Sequence, residues 1–185
     1  VNVTAKKLAA RYGRKTRIIE VYKEIMTEKY HISAFTHPHY PIITHAEEIQ
    51  NYAWGLIPHF IKAKNNTENA VRKAMEDAKK ISNMTLNARA ETIFEKPSYR
   101  EPIRGKRCLI PSTGYFEYHH NLDGSTTPYY IFLKNEPVFS MAGIYDNWEN
   151  PETGEDEQTF SMITTEANEL TAKIHNGGKN PHRMP

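Results

Sequence analysis

Three polar residues in this sequence have types and surroundings suited to chemistry on a carbonyl: Asn87, Glu117 and His175. Glu117 lies in Gly114-Tyr115-Phe116-Glu117-Tyr118, an aromatic run that reads as a β-strand. The two-residue period of a strand puts Glu117 on the face of Tyr115, opposite Phe116 and Tyr118. If that face is buried, desolvation lifts the carboxyl pKa toward the range useful for proton transfer. If it is wet, Glu117 simply points to water. Asn87 opens the polar hexad Asn87-Ala88-Arg89-Ala90-Glu91-Thr92. Its amide donates and accepts hydrogen bonds and can orient a carbonyl, and Arg89 can fork onto a phosphate. The other reading of the hexad is a capped turn held by an Arg–Glu pair. His175 falls at the C-terminus of an expected helix, where the helix dipole favours imidazolium and makes a proton donor near neutral pH. The same position also suits a plain helix cap. Trp54, in Trp54-Gly55-Leu56-Ile57-Pro58, has two possible fates, stacking on a base or packing in a core.

These residues need elements to hold them. Thr4 is placed to cap a short helix whose Leu8, Ala9 and Tyr12 share a side, with Gly13 as its stop. Residues 30–60 read as short strands broken at Pro38, Pro41 and Pro58. The spacing predicts a helix over 66–81, with Ala70, Val71, Ala74, Met75, Ala78 and Ile81 as its apolar stripe. From residue 86 the pattern turns to β. Strands are expected at Arg107–Ile110, Gly114–His119, Pro128–Leu133, Val138–Tyr145 and Gln158–Thr164, with Asp123-Gly124 as a turn. A last helix is expected from Glu166 to His175, capped by Thr165, with Leu170 and Ile174 facing inward and Gly177-Gly178 as the stop. Strand follows strand without alternating helices. The fold class is therefore α+β: a mixed, mostly antiparallel curved sheet or barrel with flanking helices.

Composition narrows the function. The chain has 185 residues, 38% hydrophobic and 25% charged, enough for one domain with a core. The longest apolar run, Tyr129 to Leu133, is far too short for a membrane-spanning helix, and no signal-peptide pattern opens the chain. The chain reads as intracellular, cytoplasmic or nuclear. One cysteine, Cys108, excludes an internal disulfide and a Cys-rich metal site, and it reads as a small buried hydrophobe. Nine histidines include His37-x-His39 and His119-His120, but no His-Glu-x-x-His spacing occurs, so no metal site is expected. Net charge is only +2, unevenly spread. Residues 1–17 hold six Lys and Arg and no acid, whereas residues 149–157 hold five acids and no base. That asymmetry fits either a phosphate-facing surface or two ordinary solvated segments.

The motifs gain force from their order. Trp-Gly-Leu-Ile-Pro (54–58), Asn-Ala-Arg-Ala-Glu-Thr (87–92), Arg-Cys-Leu-Ile-Pro (107–111), Gly-Tyr-Phe-Glu-Tyr (114–118), Ala-Gly-Ile-Tyr (142–145), Ile-Thr-Thr-Glu-Ala-Asn (163–168) and Arg-Met-Pro (183–185) follow one another. In that order they resemble the SRAP family, the SOS response-associated peptidases, also called abasic site processing proteins. The likeness runs from about Tyr30 to Pro185. It implies a partner, single-stranded DNA containing abasic sites, and no cofactor. It implies an N-terminal cysteine, exposed by autoproteolytic removal of methionine, whose amine and thiol trap the opened sugar as a thiazolidine. By position, Asn87 would orient the sugar, and Glu117 would assist proton transfers and methionine removal. Arg89 would hold a phosphate, Trp54 would lie near the base-stacking wedge, and Arg183 would touch the DNA backbone.

Two departures stand out. The family pattern has Ile-His, one residue, then Arg-Met-Pro; here Asn176 to His182 intervene between His175 and Arg183. Counting forward from Thr164-Thr165 selects His175 as the catalytic histidine; counting back from Arg-Met-Pro points to His182 as the alternative. Val1 stands where no cysteine precedes it. The expectation is one SRAP-like domain over residues 1–185, trimmed at both ends, whose native start is Met-Cys. The competing expectations are a non-catalytic single-stranded DNA binding module on the same fold, and a metallohydrolase using the histidines.

Overall fold

The computed structural model describes residues 5–15 and 31–185. Thr4, the expected cap of the first helix, lies outside them. Helix α1 (Ala5–Tyr12) buries Leu8 completely against Ile43, Ile49 and Val138, with Ala9 and Tyr12 beside it. The helix ends at Gly13, where Arg14 N–H donates back to Ala9 O at 2.9 Å. Three basic residues of this segment are tied to the body of the protein. Arg11 pairs with Glu136, Lys15 with Glu47, and Arg14 donates to Thr44 O.

The remaining elements form a sheet that curls on itself. In order they are β1 (His39–Ile42), β2 (Gln50–Trp54), α2 (Glu68–Met84), β3 (Asn87–Arg89), α3 (Pro102–Gly105), β4 (Arg107–Ser112), β5 (Tyr115–His120), β6 (Thr126–Ile131), β7 (Phe139–Glu149), β8 (Asp156–Glu166), α4 (Glu169–Ile174) and β9 (Arg183–Met184). The main sheet runs β1-β2-β8-β7-β4. Paired bonds of 2.9 Å between Ile43 and Leu109 then join the end of β1 to β4 and nearly close the ring. β2 and β3 pair parallel to β8, and the other ladders are antiparallel. The α+β class and the mixed, mostly antiparallel barrel expected from the sequence are what the chain adopts. No helix among the described residues is long and apolar enough to cross a membrane.

Some boundaries differ, each for a physical reason. The strand expected to break at Pro41 runs through it, opposite Asn51. β1 is bonded to β4 only beyond its end, at Ile43, so a residue without an N–H is tolerated within it. α2 begins after Thr67 and runs on to Met84, burying Ala74, Ala78 and Ser82. Its Ala78 packs with Ile57 and Trp148, flanked by Met75 and Ile81. Residues Thr165 and Glu166, expected to start the last helix, stay in β8 because β9 pairs with them. Asn168 therefore becomes the cap of α4, its side chain accepting from Thr171 N–H at 2.9 Å. The inward face shifts accordingly: Thr171 is buried, and Leu170 is exposed.

The barrel interior holds Tyr40, Ile42, Cys108, Ile110, Met141, Tyr145, Phe160 and Met162. Burial lifts the Cys108 thiol to about 12, so it stays protonated and packs as an apolar group. Asp146 is wholly buried on the opposite side, between His59 and Lys106. Desolvation pushes its pKa up, yet hydrogen bonds from Lys106 and His59 outweigh that and leave it below the ordinary value. Phe160 has no exposed surface and packs at a tilt against Trp54, ring centroids 5.4 Å apart. Phe160→Ala is expected to destabilise the fold by about 3–5 kcal/mol, read as a lowered urea midpoint with little change in slope.

Candidate functional site

β8 arranges the first wall of the site. Trp54 of β2 lies opposite Phe160, Asn87 of β3 opposite Met162, and Arg89 opposite Thr164. Those positions alternate by two along β8, so the three side chains share one face. Asn87 and Trp54 line an open cavity of about 590 Å³, together with Tyr40, Thr164, Glu117 and His175. Arg89 is not among the lining residues; it is exposed just outside. The backbone of Asn87 is held by Tyr99, whose hydroxyl donates to its carbonyl at 3.2 Å.

β5 and α4 make the facing wall. Glu117 points inward with Tyr115, while Phe116 and Tyr118 are exposed. This is the desolvated alternative of the two that the strand pattern left open. Each inward residue of β5 meets α4 or its end. Tyr115 Oη lies 3.4 Å from Thr171 Oγ1, and His119 Nδ1 donates to Lys173 O at 3.0 Å. Glu117 Oε2 lies 3.8 Å from His175 Nδ1. The side chains of Glu117 and His175 are only 19% and 20% exposed. Desolvation raises the Glu117 pKa above its ordinary value, opposed by the nearby His175 and by a backbone hydrogen bond from Tyr118.

His175 caps α4, its N–H donating to Thr171 O at 2.7 Å. Its Nδ1 faces both polar groups of the Arg183 backbone, the carbonyl at 3.1 Å and the N–H at 3.3 Å. Either neutral tautomer thus keeps a hydrogen bond at this nitrogen, and the ring can change proton position without losing its place. His182 stands apart. It is exposed, adopts φ of 58°, and has its Nδ1 against Ala172 O at 3.2 Å, away from the cavity. Of the two histidines, His175 lines the cavity and His182 does not.

Arg183 and Trp54 are held by the protein itself. Arg183 forks onto Glu91 at 2.9 and 3.0 Å and also donates to Thr164 O at 2.7 Å. The hydrogen bond from Arg183 leads the causes that hold the Glu91 carboxyl down at about 2. The hexad does contain an ion-paired glutamate, but its partner is Arg183 rather than Arg89. The indole N–H of Trp54 donates to Leu86 O at 2.8 Å, and the ring packs at a tilt against Phe160, so Trp54 forms part of the cavity wall. Gly55 follows it with φ of +118°, and a Cβ there would stand 2.5 Å from His37 Nδ1. That close approach lets His37 bond to Trp54 O at 2.7 Å and to Asn83 Oδ1 at 3.0 Å. Among the described residues, no three His, Cys, Asp or Glu side chains gather into a metal-sized group.

Sequence reading passed over Thr164, Tyr130 and Tyr99. Tyr130 lines the cavity from β6, opposite Phe116. Its signal was the Asp123-Gly124 turn, which sets β5 and β6 in register; Tyr99 carried none, since its role rests on a backbone carbonyl twelve residues away.

Comparison with known proteins places the chain in a family. The family model described as SOS response associated peptidase (SRAP) matches residues 2–185. The chain belongs to that family. It is 38% identical over 132 residues to the abasic site processing protein YoqW of Bacillus subtilis, covering 71% of this chain and 49% of that protein. It is 31% identical over 156 residues to the abasic site processing protein HMCES of Gallus gallus, covering 74% and 41%. The chain thus spans about half the length, or less, of these curated relatives. A crystal structure of a Bacteroides thetaiotaomicron protein superposes with a TM-score of 0.87 at 53% identity, covering all of this chain and 73% of that one.

Two carboxylates of the site carry opposite linkage to pH. The folded pKa of Glu91 lies below its unfolded value, so its contribution is full above the ordinary carboxylate range and lost as pH falls toward about 2. The folded pKa of Glu117 lies above, so its ionisation costs stability once pH rises through that folded value. Thermal melts across pH should show Glu91→Gln melting below the parent at neutral pH, with the gap closing in acid. Glu117→Gln should melt at or above the parent at neutral pH, with its advantage vanishing below the ordinary glutamate pKa.

Proposed function

We propose that this chain is a single domain that binds single-stranded DNA at an abasic site and processes the lesion by covalent capture. The observation that carries the reading is the convergence of Asn87, Glu117 and His175 on one cavity of a chain in this family. Its relatives YoqW and HMCES bear the name abasic site processing protein. An opened abasic sugar presents an aldehyde. A cavity lined by an amide, a desolvated acid and an imidazole suits the chemistry of that group.

In this reading an N-terminal cysteine supplies the nucleophiles. Its amine adds to the aldehyde carbon, and the carbonyl oxygen takes up a proton from Glu117 or His175. Loss of water gives the imine, and addition of the thiol to its carbon closes the thiazolidine. The net change is aldehyde plus cysteine giving ring plus water. Asn87 hydrogen-bonds the sugar and holds it against the nucleophile, which raises the effective concentration of the reacting groups. Glu117, with its raised pKa, also serves in removing the initiator methionine. Arg89 holds a phosphate beside the lesion, Trp54 backs the neighbouring base from the cavity wall, and Arg183 acts through the frame that supports His175.

The test uses the protein given a Met-Cys start and abasic single-stranded DNA. The expected product is a band that survives denaturing electrophoresis. Glu117→Gln should slow its formation by about 10²–10⁴-fold while leaving affinity for the DNA nearly unchanged. Arg89→Ala should weaken binding and lower the salt slope by about 0.7, the value of one single-strand phosphate. DNA binding without any covalent band would instead select the non-catalytic binding module.

A further inference from the structure

The loop Asn176–His182, which separates His175 from Arg183, has no part in the reading above. It is strapped down along its length. The side chain of Asn176 takes both backbone groups of His120, accepting from its N–H at 2.8 Å and donating to its carbonyl at 3.0 Å. Gly177 packs on the His120 ring so closely that a Cβ would stand 2.5 Å from it. Asn180 Oδ1 accepts from the Arg89 guanidinium. His182 then donates its N–H to His175 O at 2.8 Å and accepts from Ala167 N–H at 3.0 Å. The loop therefore reaches from the tip of β5 to the end of β3, along one side of the cavity.

Its charge is one-sided. From Leu170 to Pro185 there are Lys173, His175, Lys179, His182 and Arg183, and no acid. Among the described residues, Arg89 meets the loop with no carboxylate partner. Glu91, two residues away, is committed to Arg183, and the partner found for Arg89 is the neutral amide of Asn180. Of these two arginines, Arg183 is paired with a carboxylate and Arg89, among the described residues, is not. Asn180 gives its oxygen to Arg89, and among the described residues its amide N–H groups have no acceptor. Lys179, exposed and next in the chain, adds an ammonium.

We propose that the Asn176–His182 loop, with Arg89, forms a phosphodiester-binding strap that holds the single strand next to the cavity. This rests on the DNA-binding reading and adds two contacts to it: Lys179 as a point charge, and Asn180 as a neutral donor that also orients Arg89. The strap is anchored through His175 and Arg183, so the backbone contact and the imidazole share one support.

The probe is an undamaged oligothymidylate longer than a footprint of about 4–16 nucleotides, titrated at several salt concentrations. Lys179→Ala should lower the salt slope by about 0.7. Asn180→Ala should weaken binding several-fold with a slope close to the parent's, because no charge is lost. Both variants should melt at the parent's temperature, the sites being exposed. If the parent binds and both variants match it in affinity and slope, the strap proposal is overturned alone. If the parent does not bind the oligothymidylate, the strap and the DNA-binding reading fall together.

Discussion

The bidentate ion pair between Arg183 and Glu91 is the contact on which the site's geometry depends. It crosses β8, joining the segment that follows β3 to β9. Arg183 also bonds to Thr164 of β8, so three short pieces of chain are fixed to one another. β3 is three residues long and β9 two, and neither has a hydrophobic face wide enough to place itself. β3 carries Asn87, and β9 presents the backbone groups that hold the His175 ring. A charge-assisted fork with planar geometry is the kind of interaction that sets such pieces in register.

A second constraint acts on Glu117. An acid among aromatic residues ordinarily faces water, and the aromatics face the core. β5 reverses this order, with Phe116 and Tyr118 outside and Glu117 within. The reversal is imposed by α4, whose Thr171, Lys173 and His175 lie under the inward residues of the strand. Helix and strand periods match over this stretch, since Thr171 and His175 are one turn apart and Tyr115 and Glu117 are two residues apart. The carboxylate is thereby desolvated without being fully enclosed, with an imidazole nitrogen 3.8 Å away.

Local pattern made much of this visible in the sequence. The apolar stripe of α2, the β5–β6 hairpin around Asp123-Gly124, and the strands through Cys108, Ile144 and Phe160 all carry periods that depend on near neighbours. The same holds for the faces of β5, where alternation assigned Glu117 to the side of Tyr115 and left open which side was buried. What could not be read was fixed by distant partners. The commitment of Glu91 to Arg183 spans 92 residues. β9 and the late start of α4 follow from the free edge of β8, a feature that no window around Thr165 contains. The inward turn assigned to Leu170 failed for the same reason, because it assumed a helix beginning three residues too early.

β5 and β6 bond to each other and to no other strand in the described sheets. The acid therefore rides on a flap, while the amide opposite it is built into the barrel wall. The flap is latched by side chains, chiefly Tyr115, His119 and the backbone of His120, rather than by a ladder shared with the barrel. Its distance from the wall can change by loosening a few latches, with every rung of the main sheet intact. The width of the cleft is in this sense adjustable independently of the strength of the fold.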